Sequence, residues 1–171
     1  MARSNMGSEA IPEGIAADAQ YPAFLPVLLL PLGSANTAVV ELLLADDPMD
    51  STLGSITMRV GLHNTTSADT LIIALNGSTI YASGSEQEQE QAAATVPVAA
   101  RRQPYPGVDM YVAQMLTLAL DGKARALLRG GVNEVVIRLV DRPRGLQHAA
   151  VTVTDMELIL HHDVYAVGAR L

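Results

Sequence analysis

The chain has 171 residues, of which 49% are apolar, 17% charged and 4% aromatic, with no cysteine and a net charge of −7. Such a length suits one domain whose core needs no disulfide or metal staple. The lack of cysteine excludes thiol catalysis and zinc–thiolate sites, and the acidic balance weighs against nucleic acid and anionic membranes as partners.

Residues 1–26 read as a flexible tail or linker, because 1–21 are small, polar and aperiodic. Glu9, Glu13 and Asp18 interrupt any apolar core there, so no signal peptide is expected. The most apolar run, 24–32, contains Pro26 and Pro31. It is far shorter than the roughly 20 residues of a spanning helix. The domain is expected over 27–165, with 166–171 as a second tail.

Val27, Leu28, Leu29 and Leu30 form a first strand, and Pro31 confines it to an edge or an end. The run 38–45 (AVVELLLA) alternates, with Val40, Leu42 and Leu44 on one face and Glu41 between Val39 and Leu43 on the other. In 55–62 (SITMRVGL), Ile56, Met58, Val60 and Leu62 point one way and Thr57 and Arg59 the other. The run 70–75 puts Leu71, Ile73 and Leu75 in phase. Asn76-Gly77 then predicts a tight hairpin into Ser78, Thr79, Ile80 and Tyr81.

Residues 83–94 (SGSEQEQEQAAA) read as a solvated acidic loop, 95–98 as a short strand, and 101–107 (RRQPYPG) as turn-rich. The run 111–120 is a long strand with Val112, Leu116, Leu118 and Leu120 in phase. Residues 123–129 suggest about two helical turns, ended by Gly130. The strand of 132–140 has Val135, Ile137 and Leu139 on one face, and Glu134 and Arg138 on the other. In 149–163 the apolar phase slips from Val151 and Val153 to Met156, Leu158 and Leu160, which predicts a β-bulge near Thr154 and Asp155. Seven to nine strands and at most one short helix predict an all-β fold. The expected architecture is an antiparallel β-sandwich of jelly-roll type.

Three segments carry a family likeness: 39–47, 55–77 and 126–160. Leu75-Asn76-Gly77, the 127–139 strand and the closing 153–160 strand resemble a C-terminal β-sandwich domain of uncharacterised bacterial, glycoside hydrolase-like proteins. More broadly they resemble the galactose-binding-like jelly rolls. The resemblance implies an accessory module that binds carbohydrate or buttresses a neighbouring catalytic domain. Some such domains carry calcium.

The chemistry-bearing residues are few. Asp46 and Asp47 end a strand. As paired carboxylates they are candidate calcium ligands, and before Pro48 they also read as a turn. Asp69, Asp109 and Asp155 have the same two readings. His161 and His162 are adjacent on a strand and point to opposite faces, which suits no shared metal. Arg101, Arg102 and Tyr105 form a polar-aromatic cluster able to hydrogen-bond a ligand, or to pair with Glu86, Glu88 and Glu90. Tyr81, Tyr105 and Tyr111 are the candidate rings for stacking on a sugar. Asn64-Thr65-Thr66 and Asn76-Gly77-Ser78 match the N-glycosylation pattern. No catalytic constellation emerges, so an enzyme is not expected. The run 28–33 (LLLPLG) and the outer faces at Ile72 and Val136 are more apolar than a lone sandwich needs, which reads either as a partner surface or as a second buried face. The expectation is therefore a glycan-binding or domain-packing module with no cofactor. A self-assembling structural protein, with a second copy as partner, is the alternative.

Overall fold

The computed structural model describes residues 26–30, 35–83, 96, 98–104 and 113–163. They build nine strands: β1 (Val27–Leu29), β2 (Thr37–Leu44), β3 (Leu53–His63), β4 (Thr70–Leu75), β5 (Ser78–Ala82), β6 (Ala99–Pro104), β7 (Ala113–Ala119), β8 (Gly131–Asp141) and β9 (Val151–His162). One sheet has the order β1-β9-β3-β7-β6 and the other β2-β8-β4-β5. Every pairing is antiparallel. With β6 set aside, the sheets read 1-9-3-7 and 2-8-4-5, which is the strand order of a jelly roll.

Alternation explains why these segments pair. Each strand except β6 has one apolar row, and the two sets of rows meet between the sheets. Ile56, Met58, Val60, Leu116 and Leu118 come from one sheet, and Leu71, Ile73, Leu75, Val135 and Ile137 from the other; all are buried. The expected faces of β2, β3, β4 and β8 hold. The Asn76-Gly77 hairpin forms with φ of 47° and 83°, the left-handed pair that its turn type requires. The bulge also forms: Gly61 pairs with Asp155 and Leu62 with Val153, which leaves Thr154 as the extra residue.

Three local expectations are corrected. Residues 101–104 belong to strand β6 and not to a turn. Among the described residues β6 lies at a sheet edge with β7 as its one strand neighbour, so its outward positions face water and need no apolar residue. Residues 123–129 give a single 3₁₀ turn, Arg125–Leu127. The helix stops because Leu128 is extended and Arg129 gives both backbone groups to the Asn133 side chain. The positive φ of this connection falls at Gly131, 94°, and not at Gly130. Val96 and Val98 lie outside any strand. Val96 donates one backbone bond to Thr79 O, 2.7 Å, and Pro97 has no N–H to extend a ladder. The expected acidic loop beyond Ser83 and the start of the 111–120 strand lie outside the described residues.

Candidate interaction surface

Each sheet shows one face to solvent; among the described residues the five-stranded sheet exposes one large apolar side chain, Leu28 on its edge strand, and the four-stranded sheet exposes several. On the five-stranded sheet, register aligns Arg101, Thr117, Arg59 and Glu157 in one row across four strands. Arg59 and Glu157 form an exposed ion pair at 3.3 Å.

The four-stranded sheet is more apolar outside. Val39 pairs with Val136, and Val136 with Ala74; Leu43 pairs with Val132. Val39 is 59% exposed, Leu43 78% and Val132 58%. Between the apolar rows, Glu41 stands opposite Glu134, and Thr37 opposite Arg138. A shallow concavity of about 270 Å³ is lined by Thr37, Ile72, Ala74, Thr79, Val136 and Arg138. The expected apolar pair, Ile72 and Val136, therefore shares one concavity. Sequence alone placed Val39 and Leu43 outward, but the register that joins them to Val136 and Val132 was not visible in it.

The loops at one end of the sandwich are held by a buried ion pair. Arg142 Nε donates to Asp69 Oδ1 at 2.8 Å, and both side chains have no solvent exposure. The guanidinium also donates to Ala149 O and Asn64 O, each at 2.7 Å. Asp69 further accepts from the Thr65 hydroxyl and the Thr66 N–H. Nearly every lone pair and proton is used, which is the condition under which a buried pair is tolerated. Arg102 joins this cluster by donating to Thr65 Oγ1 and Thr66 O. Arg101 lies on the opposite side of β6, next to Thr117 on the outer face. The two arginines thus do not converge on one ligand position. Asn64, at φ 57°, uses its amide on Ala150 O.

At the opposite end, Asp47 Oδ1 accepts the Met49 N–H, and Asp50 N–H bonds Asp47 O. Asp47 therefore serves a turn. Asp46 lies 3.8 Å from His162, both half exposed. Asp50 Oδ1 accepts the Thr52 N–H and hydroxyl. Those bonds, the backbone one first, hold its carboxyl below the ordinary value against the opposing effect of desolvation, with lesser help from His162 and Arg125. Arg125 gathers the carbonyls of Pro48, Asp50, Leu53 and Gly54. Among the described residues no group of three or more His, Asp or Glu side chains is placed to hold a metal.

Of the candidate rings, Tyr105 and Tyr111 lie outside the described residues. Tyr81 pairs with Ile73, an inward position, because Ile80 is an extra residue in β5. Its ring packs against the core instead of lying on an outer face. No protein-family model, curated protein or solved structure matches this chain.

Proposed function

We propose that this β-sandwich is a non-catalytic module that works by docking the outer face of its four-stranded sheet onto a protein surface. The observation that carries this reading is the exposure of Val39, Leu43 and Val132 on one side of one sheet. On a face that stays in water these alternate positions are ordinarily polar. Covering three such side chains is worth about 4–6 kcal/mol before the cost of association.

Photo-cross-linking tests it. A benzophenone amino acid replaces Val39 in the full chain, expressed in its own cells, and Asp155 on the other sheet serves as control. Discrete adducts from position 39 and none from 155 support docking. Equal labelling from both, or none from 39, contradicts it.

A second reading rests on the row of Arg101, Thr117, Arg59 and Glu157, whose donors and acceptors suit sugar hydroxyls. It keeps the accessory carbohydrate-binding role implied by the family resemblance. A glycan screen with Arg101→Ala as control decides it: a hit lost in the variant supports this reading, and no hit removes it.

A further inference from the structure

The outward side chains of β8 run Val132, Glu134, Val136, Arg138, Val140. The series is symmetric in shape about Val136 and antisymmetric in charge. We infer that the occupant of this face is a second copy of the chain, packed face to face about a twofold axis that crosses the strands over Val136. The inference rests on the docking reading and names its partner.

Such an axis superposes each strand on its own copy with direction reversed. Val136 then meets its counterpart. Glu134 of each copy faces Arg138 of the other, giving two ion pairs per dimer, and Val132 of each faces Val140 of the other. An axis along the strands instead places Glu134 on Glu134 and Arg138 on Arg138, which is repulsive at both positions. Charge therefore selects the antiparallel arrangement. The usual angle of about 30° between packed sheets preserves these pairings.

The charges are free to take part. Among the described residues neither Glu134 nor Arg138 has an ion-pair partner. Glu134 instead faces Glu41 across β2 and β8, an unfavourable opposition. An arginine from the other copy offsets it. Arg138 also rims the concavity floored by Val136, Ala74 and Ile72, which receives the incoming Glu134. Four strands and five rows give a footprint of about 500 Å² per copy. That is smaller than the roughly 800 Å² of a standard interface, so the dimer is weak and depends on concentration.

Sedimentation equilibrium on the full chain over a dilution series tests the inference. Wild type dimerises reversibly. Glu134→Arg and Arg138→Glu each weaken dimerisation by about tenfold or more, because each places like charges at both sites. An equimolar mixture of the two single variants recovers wild-type affinity as a heterodimer, and the double reversal recovers it as a homodimer. Circular dichroism confirms that each variant keeps its sheet content, and the double reversal covers any single variant that does not. Wild type that stays monomeric at every concentration overturns self-pairing. If position 39 still yields adducts of another mass, the docking reading survives. Single variants that dimerise like wild type, or a mixture that gains nothing, overturn the twofold geometry.

Discussion

The side-chain amide of Asn76 lies 2.9 Å from the carboxamide oxygen of Asn133, although 57 residues separate them in the chain. Asn76 also donates to Leu127 O and accepts from the Glu134 N–H. Asn133 is fully buried and bonds Arg129 and Gly131. Together they tie the β4–β5 hairpin to the start of β8. This explains why an Leu-Asn-Gly hairpin and an asparagine early in the 127–139 strand occur in one chain. Both asparagines satisfy backbone groups, so the motifs speak for architecture and not for a ligand. The amide of Asn76 is already committed, which leaves no use for its glycosylation pattern in the folded state.

Asn133→Ala is expected to cost about 1–3 kcal/mol, because it orphans part-buried backbone groups of Arg129 and Gly131. Urea denaturation measures it. In a double-mutant cycle with Asn76→Ala, the coupling is expected at about 1–2 kcal/mol. A coupling near zero contradicts the tie between hairpin and strand.

Removing one member of the Asp69–Arg142 pair leaves a buried charge alone. Arg142→Met and Asp69→Asn should each destabilise by about 3–5 kcal/mol. The loss should depend little on salt, since the pair is out of solvent. A loss below 1 kcal/mol that vanishes in salt, as for surface pairs, goes against this account.

Glu41 and Glu134 face each other on the exposed side of β2 and β8. Glu41→Lys converts repulsion to attraction and is expected to stabilise the fold by about 0.5–1 kcal/mol at low ionic strength. The gain should shrink in high salt. Thermal unfolding of dilute protein at both salt levels checks sign and screening.

Asp50 links stability to acid. Its folded pKa is lowered from 3.8, mainly by the Thr52 N–H. A carboxyl with a depressed folded pKa stabilises the native state above its unfolded pKa, and that contribution is lost as pH falls through the folded value. Wild type should therefore exceed Asp50→Ala in stability at neutral pH, and the ionisation-dependent part of the difference should be lost in acid, as pH falls through the lowered folded value. Denaturation curves at neutral and acid pH measure it. A difference independent of pH contradicts the role of the charge.

The sandwich was legible where apolar residues alternate over a whole strand, as in β3 with Ile56, Met58, Val60 and Leu62, or in β8. The slip between Val153 and Met156 even located the bulge at Thr154. β6 was illegible because an edge strand with a solvated side shows Arg101, Arg102 and Gln103 in place of alternation. Asp69 and Arg142 gave no local sign, since 73 residues separate them. Tyr81 read as a surface ring because the extra residue Ile80 shifts its phase. The apolar patch needed cross-strand register, which sequence spacing does not carry.

The unequal faces of the two sheets are the central claim, and the absence of native cysteine allows a direct test. Single cysteines replace Val39, Asp155 and Met58 in turn, and maleimide labelling rates are measured across a dilution series. The account predicts that position 58 is protected throughout and 155 labels freely throughout. Position 39 should label freely when dilute and become protected as concentration rises. Identical behaviour of 39 and 155 at every concentration would contradict it.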